Sequence, residues 1–312
     1  MPRGLVFSLL LLLSACSPPP PEPLRVAINP WPGFEYLYLA EQLNLFAAEG
    51  VQVKILQFAS AHDSSRAYEL GQVDGYCTTP GGALLSREQS TRQPQIVHVT
   101  DYSSGGDLIV AKAPIQSLAQ LVGKRVGVEP NSLNSYILAR ALRSAGLTVE
   151  QLTLVNLGQN AMLEALQNGV IDAAVSYPPF SVPMLKLPHY QEIFNTRVIP
   201  GEILDVIAFD ASVLATRKPE VQAMLRALEA AHQYARAHPD EANRLMAARE
   251  NLPPEEFANI LRNDLQVLRA ADQAFYLGAN GLLMQALHST QEVLLANDEL
   301  QRPTDLAALI AP

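Results

Sequence analysis

The chain has few cysteines, few aromatic residues and only one long apolar run. Two cysteines in 312 residues, Cys16 and Cys77, exclude a disulfide framework and a cysteine-rich zinc cluster. The net charge of −9, with charges scattered along the chain, argues against nucleic acid as a partner. The six histidines form no recognisable ligand set, so we predict neither a metal site nor a cofactor. A chain of this length is long enough for two domains of ordinary size.

The single apolar run lies at the N-terminus and predicts export. It follows Arg3, spans Leu5–Leu13 and leads into Leu13-Ser14-Ala15-Cys16. The run is too short to cross a bilayer, which takes about 20 apolar residues. The last four residues resemble the bacterial lipobox, so we predict a lipoprotein signal peptide over residues 1–15 and lipidation of Cys16. The alternative is a plain signal peptide with an incidental cysteine.

Residues 16–23 contain five prolines and predict a spacer between the lipid and the folded body. Proline-rich chain is extended and semi-rigid, and cannot form a helix. Two or more acyl chains make a stable membrane anchor. We therefore expect the protein in the cell envelope, on the periplasmic face of the inner or the outer membrane. Ser17 favours the outer membrane under the Gram-negative sorting pattern.

After the spacer, strand-like and helix-like segments alternate, which predicts an α/β fold with two parallel sheets. Two segments repeat at similar spacing. Residues 67–74 resemble residues 165–172, and Arg25-Val26-Ala27-Ile28 resembles Arg125-Val126-Gly127-Val128. The first pair of segments contains a helix end and the glycine that terminates it, and the second pair is a buried strand. We interpret them as repeated architecture in two lobes. From Pro219 onward the pattern is almost wholly helical, with Pro219, Pro239 and Pro254 each placed to begin a helix.

Five motifs in order carry a resemblance to a known family. They are Asn29-Pro30-Trp31-Pro32-Gly33-Phe34-Glu35, Gly71-Gln72-Val73-Asp74, Asp101-Tyr102-Ser103-Ser104-Gly105-Gly106-Asp107, Gly123-Lys124-Arg125-Val126-Gly127-Val128 and Ser176-Tyr177-Pro178-Pro179-Phe180. Together they resemble the substrate-binding proteins of ABC importers for nitrate, taurine, aliphatic sulfonates and thiamine-pyrimidine precursors. The resemblance implies a periplasmic-binding-protein type II fold with two hinge crossings, at Leu108–Lys112 and Leu204–Phe209. Lobe one would comprise residues 24–107 plus 206–312, and lobe two residues 108–205.

In open α/β sheets, ligands bind outside the carboxyl ends of the strands. Seven segments follow predicted strands in this chain, and two facing lobes would bring them to one cleft. We expect the ligand there. The candidate ligand-binding residues in or beside these segments are Trp31, Ser60, Asp63, Thr78, Thr79, Tyr102, Asp107, Ser132, Asn134, Tyr177 and Asp205.

These candidates have different predicted roles, each with a structural alternative. Trp31, the only tryptophan, would stack on a planar ligand group or else fill the core of lobe one. Tyr102 and Tyr177 would contact the ligand or simply pack. The segment 131–134 would offer backbone N–H groups to an anion or only cap a helix. Ser60, Thr78 and Thr79 offer hydroxyl groups.

The acidic candidates and the absent basic residues bear on ligand charge. Asp107 and Asp205 flank the predicted hinge, where they would bind a ligand amine, bond the other lobe or be solvated. Relatives commonly carry Trp-Glu-Pro where this chain has Tyr177-Pro178-Pro179. The seven segments contain no Arg or Lys, so a sulfonate would lack bidentate recognition. This favours a neutral, zwitterionic or amine-bearing ligand, with sulfonate and pyrimidine-like ligands left open.

We predict a monomeric solute-binding protein that delivers a small molecule to an ABC permease, and no enzyme. The alternative is a sensory or scavenging lipoprotein without a permease. An enzymatic branch of the wider family relies on a cysteine-rich motif and a histidine. Here Cys77 lies in an apolar strand, where a small buried residue is expected, and His62 has no nucleophile placed with it. From its position, Trp31→Ala is expected to abolish binding with little change in the stability of the empty protein.

Overall fold

The computed structural model describes residues 22–130, 132–278 and 280–312. The predicted signal peptide, the lipidation site Cys16 and most of the proline-rich spacer lie outside the described residues. Within the described ranges, none of the helices combines the length and the apolar character that a membrane crossing requires.

Strands and helices alternate through the first two thirds of the chain, and helices dominate the rest. The strands are β1 Leu24–Ile28, β2 Val53–Gln57, β3 Gly75–Thr78, β4 Pro94–Ser103, β5 Leu108–Lys112, β6 Arg125–Val128, β7 Thr153–Asn156, β8 Ala173–Ser176, β9 Tyr190–Asn195, β10 Leu204–Asp210 and β11 Leu265–Val267. The helices are α1 Glu35–Gln42, α2 Leu45–Ala48, α3 Ala61–Glu69, α4 Pro80–Gln89, α5 Asn134–Ser144, α6 Gln159–Gln167, α7 Ser181–Leu185, α8 Ala211–Ala237, α9 Pro239–Arg249, α10 Pro254–Asn263, α11 Gln273–Leu277 and α12 Leu282–Ala296.

Two sheets with the same internal order form two lobes, which confirms the predicted periplasmic-binding-protein type II fold. The first sheet has the order β11-β4-β10-β3-β1-β2, and the second has the order β7-β6-β8-β5-β9. In each sheet, three neighbouring strands are parallel, and the next strand joins them antiparallel. The sheets are therefore mixed, whereas the sequence pattern predicted parallel ones. Each sheet is covered on both faces by apolar clusters.

The repeated segments form equivalent ion pairs in the two lobes. Arg25, on β1, donates from its main-chain N–H, Nε and Nη2 to the Asp74 carboxylate. Arg125, on β6, makes the same three bonds to Asp172. In both lobes the aspartate directly precedes a strand, β3 or β8, that is parallel to the strand of the arginine. The sequence echo thus reflects repeated architecture.

The chain passes between the lobes at residues 104–107 and 196–203. The predicted crossings, Leu108–Lys112 and Leu204–Phe209, are instead strands inside the second and first sheets. Leu204 and Asp205 already pair with Tyr102 and Asp101 in the first sheet. The second boundary therefore falls before Leu204, slightly earlier than the resemblance implied.

The three prolines of the helical region each lie at the start of a helical segment, as the sequence predicts. Pro239 and Pro254 each occupy the first turn of a helix, as predicted. Pro219 lies inside α8, just after Arg217, whose backbone (φ −129°, ψ 21°) is not helical. Pro219 kinks α8, because proline lacks the N–H that would continue the helical hydrogen bonds. In effect Pro219 begins the second, longer arm of α8.

Candidate functional site

A cavity lies between the lobes, where strands of both sheets end. Its first-sheet side is formed by the segments that follow β1, β2 and β3, and its second-sheet side by those that follow β6 and β8. The lining residues are Asn29, Trp31, Phe34, Ala61, Ser65, Thr78, Thr79, Gly82, Asp107, Ser132, Leu133, Asn134, Tyr177 and Asp205. The position agrees with the rule for ligands in open α/β sheets.

Aromatic rings form one wall of the cavity and join the lobes. Trp31 of the first lobe meets Tyr177 of the second edge-to-face, with ring centroids 5.9 Å apart. Phe180 in turn contacts Tyr177 edge-to-face. Trp31 is 3% exposed and donates from Nε1 to Asp101 Oδ1 at 3.0 Å. The Trp31 side chain is therefore fixed in position before any ligand arrives.

Three buried carboxyl groups lie at the end of the cavity next to the lobe crossings. Burial raises the pKa of Asp101 to about 6 and the pKa of Asp107 to about 7. Burial, together with the charges of its two neighbours, raises the pKa of Asp205 well above its usual range. Asp101 and Asp205 lie close enough that the charge of Asp101 contributes to the raised pKa of Asp205.

Asp101 is satisfied by protein groups, whereas its two neighbours are not. Asp101 accepts from Trp31 Nε1 and from Thr100 Oγ1 at 2.9 Å. Gly33 permits this arrangement, because a Cβ at that position would lie 1.9 Å from Asp101 Oδ2. In contrast, Asp107 Oδ2 and Asp205 Oδ2 are buried without a hydrogen-bond partner. Unpaired buried oxygens of this kind are costly and uncommon in folded proteins.

A fourth carboxylate, Glu129, connects the lobes on the opposite side. It directly follows β6 and is fully buried. Its Oε1 accepts the backbone N–H of His62 in the first lobe at 3.3 Å. Its Oε2 accepts the hydroxyl of Tyr177 at 3.3 Å. Burial raises the pKa of Glu129, and the hydrogen bonds from His62 and Tyr177 oppose that shift.

A sequence model described as "NMT1/THI5 like" matches residues 31–242, which is more than half of the chain. The chain belongs to this family. The taurine-binding periplasmic protein of Escherichia coli is 30% identical over 143 residues, which cover 45% of this chain and 44% of that protein.

Two solved structures show the same fold. The alkanesulfonate-binding protein SsuA from Xanthomonas axonopodis pv. citri, bound to MOPS, superposes with a TM-score of 0.78 at 18% identity, covering 93% of this chain and 98% of that chain. The desulfurization enzyme DSZB superposes with a TM-score of 0.67 at 18% identity, covering 94% of this chain and 97% of that chain. The fold of this NMT1/THI5-like protein is therefore found in binding proteins and in an enzyme.

Eight of the eleven predicted ligand-binding residues line the cavity of this NMT1/THI5-like protein. They are Trp31, Thr78, Thr79, Asp107, Ser132, Asn134, Tyr177 and Asp205. Two of them use polar atoms to shape the loop before α5. Ser132 Oγ donates to the Glu129 carbonyl at 2.8 Å and accepts the Asn134 N–H at 3.2 Å. Asn134 Oδ1 accepts from Gln159 Nε2 at 2.7 Å and from the Glu129 N–H. Ser132 Oγ therefore occupies the first N–H of α5, although Leu133, the residue before the helix, forms no side-chain cap.

The other three predicted residues, Ser60, Asp63 and Tyr102, are not among the residues that line this cavity. Ser60 and Asp63 cap α3: Ser60 Oγ accepts the Asp63 N–H at 3.2 Å and donates to Asp63 Oδ2 at 3.0 Å. Tyr102 lies on β4 and packs against the other face of the first sheet, with the cluster around Tyr76. Side chains alternate along a strand, so Asp101 and Tyr102 face opposite sides.

A buried ion cluster supports the cavity from the first-sheet side. Arg249, at the end of α9, donates from Nε to both Glu35 carboxylate oxygens at 2.7 Å. Its Nη2 donates to the Asn29 carbonyl at 3.0 Å, and a second carboxylate, Glu250, lies 3.7 Å away. The cluster fixes Asn29 next to the cavity. It also uses the donors of Arg249 that would otherwise be available to an anionic ligand.

The lobes are in contact at several points around the cavity. Lys186 of the second lobe pairs with Glu256 of the first at 2.8 Å, and Arg197 pairs with Asp264. Arg197 Nη2 also donates to the Asn263 carbonyl at 3.2 Å. With Trp31 against Tyr177 and Glu129 against His62, these contacts describe a closed arrangement of the lobes.

Asp101 and Glu129 are the site residues that sequence reasoning missed. Asp101 belongs to a quoted motif, but its role depends on pairing with Trp31, 70 positions earlier in the chain. Glu129 directly follows a strand, in the same position as several predicted residues. This placement was the available signal, because a carboxylate at a strand's carboxyl end faces the cleft.

Proposed function

We propose that this protein is the solute-binding component of an ABC import system, and that it holds one small molecule in the cavity between its lobes. The observation that carries the proposal is the cavity itself, which both lobes line and which is shaped by aromatic rings and unpaired carboxyl oxygens. Pockets with an apolar wall and a few convergent polar groups are typical of small-molecule sites.

Hinge closure is the mechanism that this arrangement supports. The lobes are connected by two short crossings, 104–107 and 196–203, and their facing surfaces meet through the Trp31–Tyr177 contact and the bond from His62 to Glu129. We propose lobes of residues 24–107 with 204–312, and 108–203, that open to admit the ligand and close on it. A ligand shifts this equilibrium only by its preference for the closed form.

The site supports a different ligand chemistry from that of the sulfonate-binding relatives. Lysine, arginine and histidine are absent from the described residues that line the cavity. A sulfonate or taurine would depend on hydroxyl and backbone N–H groups there, beside two buried aspartates. Amine-bearing and pyrimidine-like ligands fit better, since aromatic walls accept planar groups and carboxyl groups accept N–H donors.

The enzymatic alternative receives little support from the site. The thiol of Cys77 is buried on β3 and is not among the groups lining the cavity in the described structure. Burial raises its pKa well above the usual range, so the thiol stays protonated and weakly nucleophilic. We therefore propose that the ligand is bound and released unchanged.

Thermal stabilisation by candidate ligands tests the function. Sulfonates, amines, pyrimidines and amino acids are added to the purified protein, and unfolding is followed by heat. A true ligand at a hundredfold excess over its Kd should stabilise the fold by about 2.7 kcal/mol. The fluorescence of Trp31, the only tryptophan, should change in parallel because its ring lines the cavity.

Scattering in solution and recovery of the ligand complete this test. The ligand should make the protein more compact, and chromatography should return it chemically intact. An unchanged envelope with every stabilising compound would contradict hinge closure, and consumption of the compound would establish an enzyme.

We also propose that the mature protein is anchored to a membrane on the periplasmic side by lipid on Cys16. The lipobox-like sequence Leu13-Ser14-Ala15-Cys16 supports this, as does the proline-rich spacer after it. Cells expressing the full chain should incorporate labelled palmitate into it, and Cys16→Ser should abolish labelling. Cys77→Ser is the matched control and should label normally. Equal labelling of the two variants would contradict the proposed anchor.

A further inference from the structure

At the end of the cavity next to the lobe crossings, two carboxyl groups each have an oxygen without a hydrogen-bond partner. Asp107 and Asp205 both line the cavity and are 4% and 5% exposed. Each has one oxygen, Oδ2, that is buried without a hydrogen-bond partner. Both side chains come from segments next to the lobe crossings, so they face the space that closure encloses. A group that donates hydrogen bonds to both would satisfy what the protein leaves unsatisfied.

The cations near this end of the cavity are already paired. Arg197, which lies against Gly105 of the first crossing, pairs with Asp264. The titratable side chains that face the three aspartates from neighbouring elements are Tyr36 of α1, Cys77 of β3 and Tyr177 after β8. Burial raises the pKa of each, so all three are uncharged near neutral pH. The buried cation Arg249 is already bound by Glu35. A cation that stabilises the ionised form of Asp107 and Asp205 would therefore come from a ligand.

From this geometry we infer that the ligand is an organic cation, with a protonated amine or amidine held between Asp107 and Asp205 and an apolar or aromatic body against Trp31 and Tyr177. The inference rests on the proposed solute-binding function and adds the charge of the ligand. Asp101 does not contact the cation. Its bond from Trp31 Nε1 positions the ring.

The aromatic wall is suited to the same class of ligand. A cation next to the face of a tryptophan or tyrosine ring is attracted by the ring quadrupole, more strongly where water is excluded. A carboxylate pair with an aromatic wall therefore recognises the charge and the body of a small amine together. An anion in this position would meet buried carboxyl groups and no paired cation.

Binding of a cation here should release protons. The pKa of Asp107 is raised to about 7, so a large fraction of its carboxyl groups are protonated in the empty protein near neutral pH. A cation favours the ionised form, which lowers the pKa and expels the proton. Affinity for an amine should thus rise up to tenfold per pH unit between pH 5 and about pH 7, whereas affinity for an anion should fall.

A charge-matched series of probes tests the inference on the full-length purified protein. Benzylamine, benzamidine, benzyl alcohol and benzenesulfonate share one ring and differ in charge, and taurine and MOPS are added as sulfonates. Binding is measured by Trp31 fluorescence, and proton release by an indicator dye in weakly buffered solution. The two cations should bind at least tenfold more tightly than the alcohol or the sulfonates, with release of protons.

Isosteric variants distinguish charge recognition from simple hydrogen bonding. Asp107→Asn and Asp205→Asn should each weaken the binding of benzylamine roughly tenfold or more, because a charge-assisted hydrogen bond becomes a neutral one. Binding of benzyl alcohol should stay within about threefold, since amides still bond hydroxyl groups. Neither variant should lower the melting temperature, because each removes a buried ionisable group. Asp240→Asn, on the exposed first turn of α9, is the matched control and should change nothing.

Each other outcome has a definite meaning. Tighter binding of benzenesulfonate or benzyl alcohol, or cation binding that both variants leave unchanged, overturns the inference while the solute-binding function stands. If no probe and no compound of the wider ligand panel changes the melting temperature or the fluorescence, the proposed function fails as well.

Discussion

Replacing Arg249 with methionine should destabilise the protein by about 3–5 kcal/mol, because it leaves two buried carboxyl groups without their cation. Glu35 is fully buried and Glu250 is 3% exposed, and Arg249 contacts both. Glu250 has neither oxygen hydrogen-bonded, and burial together with the nearby Glu35 raises its pKa well above the usual range. Equilibrium unfolding in urea at pH 7.5 measures the loss.

The pH dependence of the stability lost in Arg249→Met identifies the cause of that loss. Without the guanidinium, the pKa of Glu35 in the folded state rises further, since burial already raises it and Arg249 opposes that shift. A carboxyl group whose pKa is raised in the folded state contributes stability that is fully present below the unfolded pKa of about 4.3. This contribution is lost as the pH rises through the folded pKa. The deficit should therefore be smaller at pH 5 than at pH 8.

Two comparisons make the Arg249 prediction specific. Adding Glu35→Gln and Glu250→Gln to Arg249→Met should recover much of the lost stability, because the unpaired charges are gone. Arg226→Met removes an ion pair with Glu49 that is exposed to solvent, and should cost less than about 1 kcal/mol. Equal effects of Arg226→Met and Arg249→Met would contradict the assigned role of the buried cluster.

Trp31→Ala should lose ligand binding and also about 3–5 kcal/mol of stability, which revises the expectation from sequence. The side chain lines the cavity but is 3% exposed and belongs to the core cluster of the first lobe. Its removal deletes a large buried ring and leaves Asp101 without the Nε1 donor. Urea unfolding of the empty protein measures the stability, and thermal shift measures the binding.

A smaller substitution separates the two roles of Trp31. Trp31→Phe keeps most of the packing and removes the hydrogen bond to Asp101, so we expect a loss of about 1–3 kcal/mol. Phe275→Ala truncates an aromatic ring that is 67% exposed, and should stay within about 0.5 kcal/mol of the parent protein. A stability of Trp31→Ala equal to that of Phe275→Ala would show that the ring contributes to the ligand site alone.

Much of the fold follows from the sequence, because buried strands and amphipathic helices have distinct periods. The elements that were missed have weak patterns. The strand β9, Tyr190–Asn195, lies at a sheet edge and mixes polar with apolar residues, and β11 is three residues long. The sequence pattern over residues 36–48 predicts one helix, but the structure has two, α1 and α2, because the positive φ of 56° at Asn44 interrupts the helix. Asparagine adopts this conformation more easily than most residues, but its sequence context did not indicate the break.

The candidate site was predictable in position and less so in detail. The rule that ligands bind at the carboxyl ends of strands located the cavity, and eight residues followed from it. It could not give the direction of each side chain, so Tyr102 was included and Asp101 was not. Nor could it show that Ser60 and Asp63 satisfy each other in a helix cap. The burial of Glu129 depends on contact between lobes, which local sequence does not encode.

The strands on either side of the lobe crossings, β4 and β10, are antiparallel neighbours, with Leu204 opposite Tyr102. Topologically, the whole second lobe is an insertion at the tip of a hairpin whose two arms belong to the first sheet. Its ends leave and return side by side, so it is a natural cassette for exchange with a relative. Such a chimera would keep Asp101, Asp107, Asp205 and Trp31. It would replace the opposing face of the cavity, which carries Tyr177 and Glu129. The preference of the site for ligand charge would then come from this protein, and its preference for ligand shape from the relative.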